Sequence, residues 1–341
     1  MAGVSTPTAS LVLRGKGREL RISDDTVEKV RLAAAELDYS PNLLVHSLQR
    51  GRTHVMSFFN SFRRRPQNDL YMDRLSTAIE NTAGTCGYDV LVHCDFSRSP
   101  EDTYRFLNGG RADGLLLFAP LADDPLLPWL RRSKMPTVLI NAVDRERVLA
   151  SVVDDVADGM RQVADAFVDL GHRSVAAVAE TGNHFGDSDV RIALLRDLLR
   201  ERGIVLPAHR VVERLPDLTR RLKELAAEPD PPTAIFCWRD FVAYKALESY
   251  RELGISVPDQ VSVVGYDGLP WPAQTSHTAA SVSVDLEALA EASVAALDQL
   301  IIGDIEEPPQ ITLPVILHGG TTLGPAPSSR SSRWVINEEK S

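Results

Sequence analysis

Cysteine is scarce: Cys86, Cys94 and Cys237 are the three in 341 residues, far apart and without C-x-x-C or Cys/His ligand spacing. Such a set excludes a disulfide framework and offers no structural zinc site. Long hydrophobic runs are missing, and the opening MAGVSTPTAS has no basic stretch leading into an apolar one. Membrane insertion and secretion are therefore unsupported, and the expected location is the cytoplasm. Enzyme signatures are missing as well: no G-x-G-x-x-G follows the first strand, and no G-x-x-x-x-G-K-[ST], H-E-x-x-H or G-x-S-x-G occurs. The eight histidines are scattered. The expectation is a non-enzyme without cofactor or metal.

Positive charge is also short overall, with 37 Lys/Arg against 47 Asp/Glu and a net charge of −10. The deficit is uneven. Residues 1–53 hold 8 basic and 6 acidic side chains, the rest 29 and 41. An acidic body does not bind a polyanion by bulk charge, so any nucleic-acid contact falls to the basic head.

What is present is length for two or three domains, 44% of it hydrophobic. From residue 54 onward, strand-like runs at 54–59, 88–94, 114–119 and 137–140 alternate with helical stretches at 69–83, 100–107 and 124–132. A second series places helices at 155–170, 187–202, 217–227 and 240–253, with strands at 174–179, near Val211, at 233–237 and at 261–265. This rhythm predicts an α/β fold of two parallel, doubly wound sheets. A long helix, 285–302, precedes an extended Pro-containing segment to about Leu323. If that helix returns to the first sheet and the last strand to the second, the chain crosses three times between lobes that enclose a cleft at their strand ends. The stretch 325–341, rich in Ser and Arg, reads as a disordered tail.

In the head, Ser5 is placed to cap a helix to about Arg14, with Pro7 in its first turn. Gly15 and Gly17 break the pattern. Ser23, Asp24 and Asp25 start a second helix whose Val27, Val30, Ala34 and Leu37 form an apolar stripe, stopped at Tyr39-Ser40-Pro41-Asn42.

Ala2-Gly3-Val4-Ser5, Thr8-Ala9-Ser10-Leu11-Val12-Leu13, the run 23–26 and Ala35-Glu36-Leu37-Asp38-Tyr39-Ser40-Pro41-Asn42 resemble the head of the lactose/galactose repressor (LacI/GalR) family of bacterial transcription regulators. So does the body, at Asp169-Leu170-Gly171-His172-Arg173, Pro232-Thr233-Ala234-Ile235-Phe236 with Asp240, and Gly254-Ile255-Ser256-Val257-Pro258 running into Val261-Ser262-Val263-Val264-Gly265-Tyr266-Asp267.

The resemblance implies a helix-turn-helix head at 1–41, a hinge helix and linker at 42–53, and a periplasmic-binding-protein-like core. The core's N-terminal lobe would take 54–142 plus 285–309, and its C-terminal lobe 143–284 plus 310–324. It also implies that Thr6, Pro7 and Leu11 read bases, that Ser5, Thr8, Ser10 and Arg14 contact phosphates, and that the hinge from Asn42 folds on DNA and drives Leu48 into the minor groove as a wedge. Chemically, Thr6 offers one hydrogen bond while Pro7 and Leu11 offer only apolar contact, so direct base readout is lean. The family places a further helix of about ten residues before Ala2, so the head reads as incomplete. A start codon placed too late and a true truncation both remain open.

For the body, the resemblance implies a small effector, a sugar or related metabolite, clamped by Arg191 and Asp267. Asn60, Ser61, Asp95, Phe118 and Asn141 fall at first-lobe strand ends, and Phe185, Trp238 and Arg239 add stacking surface and charge. Guanidinium, carboxylate and aromatic face suit a polyol. Arg239 stands where the family commonly has Asn, and Leu215-Pro216 where some members present an aromatic, which leaves an anionic or non-sugar effector open.

Structural readings stand beside these. Asp267 can cap its turn, Arg191 can pair with Asp187, Trp238 can be core, and His172 can serve a helix–strand turn. Arg63-Arg64-Arg65 can be a solvated loop, and Leu48 can pack the linker. The expected protein is a homodimeric, effector-responsive regulator, usually a repressor, of a pseudo-palindromic operator. A DNA-inert effector-binding remnant and a solute-binding protein are the competing readings.

Overall fold

Ser23, Ser99 and the aspartates 69, 155 and 285 each begin a helix by accepting a backbone N–H three residues on, and these caps punctuate the chain. The structure, a computed structural model, describes residues 2–13, 15, 19–39, 51–60, 69–94, 98–180, 186–273, 275–305 and 307–328. The chain divides into two units, Met1–His54 and Val55–Ser341.

In the first unit, α1 (Thr6–Leu13) and α2 (Asp24–Glu36) pack on each other, with Val12 and Val30 buried. Ser5 Oγ accepts from Thr8 N at 3.3 Å and its carbonyl from Ala9 N at 2.9 Å, so the predicted start of the helix holds. Leu37 departs from its predicted stripe. It is the C-cap of α2, its N–H still bonded to Ala33 O, and its side chain is 71% exposed.

The second unit carries two sheets. The first runs β11-β5-β4-β3-β1-β2, all parallel, from β1 (Val55–Asn60), β2 (Asp89–Cys94), β3 (Gly114–Phe118), β4 (Thr137–Ile140), β5 (Ala150–Asp154) and β11 (Gln310–Leu313). β3 and β4 are buried at every position, as strands covered on both faces must be. Helices α3 (Leu70–Thr85), α4 (Pro100–Leu107) and the short α5 (Leu127–Leu130) belong to this lobe. The predicted helix 124–132 shrinks to α5, because its flanks close as i→i+3 turns, with Leu127 N on Asp124 O, Arg132 N on Trp129 O and Ser133 N on Leu130 O.

The second sheet runs β12-β10-β9-β8-β6-β7, parallel except for β12. Its strands are β6 (Val175–Val178), β7 (Val211–Val212), β8 (Ala234–Cys237), β9 (Ser262–Asp267), β10 (Ala280–Ser283) and β12 (Ile316–His318), flanked by α6 (Val156–Asp169), α7 (Gly186–Glu201), α8 (Leu218–Ala226) and α9 (Asp240–Glu252). The last helix, α10 (Leu286–Ile302), packs on β3, β4, β5 and α3, where Tyr88 Oη donates to Asp298 at 2.8 Å. The chain therefore passes between lobes at β5–α6, β10–α10 and β11–β12, the three crossings the sequence implies.

The lobe boundaries shift. β5 and β11 pair with each other and with β4, so 143–154 and 310–313 join the first sheet rather than the second. β5 and β10 were not legible as strands, since short runs such as Ala-Ser-Val-Val-Asp carry no clear period. The tail also starts later than expected: Ala326 N donates to Leu170 O at 2.8 Å, and residues 329–341 lie outside the described ones. His172 is fully buried, its ring between Thr233 Oγ1 at 2.9 Å and Gly324 O at 3.0 Å, which is the structural reading of that residue.

Candidate functional site

Register aligns the strand ends. In the first sheet Asn60 lies opposite both Cys94 and Phe118, and Phe118 opposite Ile140. In the second, Val178 lies opposite Cys237, and Asp267 opposite Ser283. Three non-glycine residues at these ends take positive φ: Ala119 (46°), Asn141 (55°) and Asp267 (112°). Asn tolerates this region, whereas Asp267 at 112° is strained, and such strain collects where side chains must be aimed.

Arg191, on α7, is 4% exposed. Its Nη1 donates to Trp238 O at 2.7 Å and lies 3.7 Å from Asp267 Oδ1, while the guanidinium carbon stands 3.6 Å from the centre of the Tyr266 ring. Burial opposes its charge, but Tyr266, Asp267, Asp187 and Asp154 outweigh that and push its pKa up. Among the described residues its Nε has no hydrogen-bond partner. Tyr266 Oη in turn donates to Asp154 Oδ2 at 2.5 Å, joining β9 of one lobe to the end of β5 in the other.

Carboxylates gather around this cation. Burial raises Asp187, and burial with Asp154 and Asp69 nearby pushes Asp267 up to about 7, against the opposing pull of Arg191 and Arg239. Asp240, fully buried in the first turn of α9, is also raised by burial and by Asp267. Its Oδ2 accepts from Leu269 N at 2.5 Å, and among the described residues its Oδ1 has no hydrogen-bond partner. A Cβ on Gly265 would sit 2.2 Å from that Oδ1, so only glycine fits in the middle of β9.

On the first lobe, Asn141 Nδ2 donates to Tyr71 Oη at 2.7 Å, and among the described residues its Oδ1 has no hydrogen-bond partner. The Tyr71 ring lies 6.0 Å from that of Phe118, and burial with Asp154 and Asp267 nearby raises its pKa. After Asn141 the loop is fixed by Asp144, fully buried, which accepts from Val148 N (2.8 Å), Leu149 N (2.9 Å) and Arg131 Nε (3.0 Å). Burial opposes its ionisation, yet these donors win and lower its pKa. That loop walls a cavity of about 520 Å³ running from Ala119, Pro120 and Leu121 past Asn141 and Val143 to Asp154, Asp187 and Val190, so both lobes line it.

Asn60 and Phe118 are buried at their strand ends. Trp238 is buried and Arg239 half-buried, with the guanidinium over the indole at 4.6 Å. Arg191, Asp267, Trp238 and Arg239 come together. Ser61, Asp95 and Phe185, with the basic run 63–65, lie outside the described residues. Sequence reasoning missed Tyr71, Asp154, Tyr266 and Glu180. Tyr266 stood in the quoted motif, but only the fold turns a strand-interior tyrosine toward the opposite lobe.

In the head, Ser5, Thr6 and Pro7 are exposed, and Thr8, Ser10 and Leu11 are half-buried. The hydroxyls of Ser5 and Thr8 bond each other at 2.8 Å. Arg14, Asn42 and Leu48 lie outside the described residues.

Residues 1–42 match the model of bacterial regulatory proteins of the lacI family, and residues 164–322 that of a periplasmic binding protein-like domain. The chain carries a lacI-family DNA-binding domain and a periplasmic-binding-protein-like domain. It is a DNA-binding transcription regulator with an effector-binding core. It is 28% identical over 335 residues to the transcriptional regulator RafR of Escherichia coli, covering 94% of this chain and 96% of that one. The transcriptional repressor PurR of Photobacterium profundum is 26% identical over 278 residues, covering 79% and 80%. Among solved structures, a Lac repressor dimer bound to operator and the anti-inducer ONPF superposes with a TM-score of 0.81 at 24% identity, covering 95% and 96%. The transcriptional regulator CelR in complex with cellobiose gives 0.68 at 25%, covering 94% and 97%.

Proposed function

We propose that this regulator acts in the cytoplasm as a homodimer, represses from a pseudo-palindromic operator, and responds to a small polyol, a sugar or close relative, held between the two lobes. Catalysis is not its role. The observation that carries the reading is the buried Arg191–Asp267–Tyr266 cluster joined to Asp154 of the opposite lobe. Arg191 Nε and Asn141 Oδ1, a donor and an acceptor with no hydrogen-bond partner among the described residues, suit hydroxyl groups, which can accept from one and donate to the other. The CelR neighbour holds cellobiose, and a Lac repressor at 25% identity is described bound to ONPG in its repressed state.

On the DNA side, Thr6, Pro7 and Leu11 read bases, Ser5, Thr8, Ser10 and Arg14 hold phosphates, and Leu48 acts as the wedge in a hinge starting at Asn42. Ligand favours one lobe arrangement, and the linked change in DNA affinity follows from about 1–3 kcal/mol of coupling, a 5–150-fold switch. The test is fluorescence anisotropy of the full chain on DNA from upstream of its own gene, with and without a panel of mono- and disaccharides. Specific, sugar-sensitive binding is expected. Binding no tighter than to unrelated DNA overturns the operator reading, and sugar-insensitive binding overturns the effector reading.

A further inference from the structure

We infer that Glu180 is a specificity-determining residue that keeps anionic effectors from settling beside Arg191 and Arg239, by holding the charge of Arg239. The inference rests on the effector site proposed above. Arg239, beside the site, looks like a ready anion receptor, and a sequence reading leaves that possibility open. The geometry closes it. Arg239 Nη2 donates to Glu180 Oε2 at 3.3 Å, both side chains are only 16% exposed, and the guanidinium lies over Trp238 at 4.6 Å and near Phe241 at 5.2 Å. Between aromatic faces and largely out of water, an opposite charge is screened little, so the carboxylate cancels the cation over the distances a ligand would occupy. Glu180 is itself held in place, its backbone N–H donating to Ser188 Oγ on α7 at 2.9 Å.

Arg191 is equally committed, to Trp238 O, the Tyr266 ring and Asp267. With Asp154 and Asp187 added, four carboxyl groups surround its two guanidinium groups, and burial raises the pKa of two of them, Asp187 and Asp267. An entering carboxylate or phosphate has to displace Glu180 or Asp267 from its cation, or remain beside them as a like charge. A neutral polyol meets no such cost, because each hydroxyl can donate to a carboxylate and accept from an arginine. Removal of the Glu180 charge takes from Arg239 the carboxylate it donates to and turns the same site toward anions.

The experiment is a melting-temperature titration of the full chain at constant ionic strength with glucose and galactose as neutral probes and glucuronate and galacturonate as their anionic counterparts. Wild type is expected to show no saturable stabilisation by either uronate. Glu180→Gln is expected to gain it, with uronate affinity raised about tenfold or more, as one added charged hydrogen bond allows. Glu180→Gln combined with Arg239→Gln should lose it again. Glu180→Asp, the safeguard should Glu180→Gln not fold, should show a smaller gain in the same direction. Saturable uronate stabilisation of wild type, or none in Glu180→Gln or, if that chain does not fold, in Glu180→Asp, overturns the inference. The neutral arms judge the sugar reading separately: if no neutral sugar of the wider panel acts while the uronate arms behave as stated, it is the sugar reading that fails.

Discussion

Tyr266 and Asp154 lie 112 positions apart in sequence and in different sheets, yet share a 2.5 Å hydrogen bond. The phenol is fully buried and carries Arg191 on its face. One side chain thereby ties the interlobe contact to the residue expected to clamp the effector.

Tyr266→Phe removes the hydroxyl and leaves the Asp154 carboxylate without that donor in a buried place. Loss of about 1–3 kcal/mol is expected, read as a lower urea midpoint with unchanged slope. Stability equal to wild type would show that the bond does not hold the lobes.

Arg191→Lys keeps the charge but not the planar group that stacks on Tyr266 while reaching Trp238 O and Asp267. Sugar-induced stabilisation should fall at least tenfold in apparent affinity, with DNA binding retained. Calorimetric titration of the effector identified in the screen checks this, and unchanged affinity would remove Arg191 from the clamp.

Asp267 gives a pH signature. Its carboxyl is raised to about 7 in the folded chain, so between about pH 4 and pH 7 the folded state holds a proton that the unfolded state has released. Its contribution is fully present below about pH 4 and is lost as pH rises through 7. Asp267→Asn should flatten that part of the melting-temperature profile. An unchanged slope in the variant would assign it to other groups.

Leu48→Ala should weaken operator binding about tenfold or more while leaving effector binding unaltered, as expected for a minor-groove wedge. Anisotropy on operator and calorimetry with effector read the two arms, and retained operator affinity would dismiss the wedge.

Much of the fold was legible because parallel strands and amphipathic helices write their burial into sequence: β4 and α4 match the predicted bounds 137–140 and 100–107. β5 and β10 were not, since Ala150 and Ala280 begin short runs whose outer pairing comes from strands much later in the chain, β11 and β12. Arg191 and Asp267 were nameable from family likeness. Glu180 was not, because its meaning depends on Arg239 standing 3.3 Å away, a distance set by β8, α9 and the loop after β6. Asp144 was likewise silent in sequence, one aspartate among many until the turn closes around it.

Asp154 ends β5, and α6 begins two residues later in the other lobe, so the Tyr266 bond sits next to a crossing of the chain. A contact so near a pivot has a short lever arm. Lengthening it by a few tenths of an ångström would open the far rim of the cleft by several times as much, so a ligand that merely nudges Tyr266 obtains a geared-up rotation.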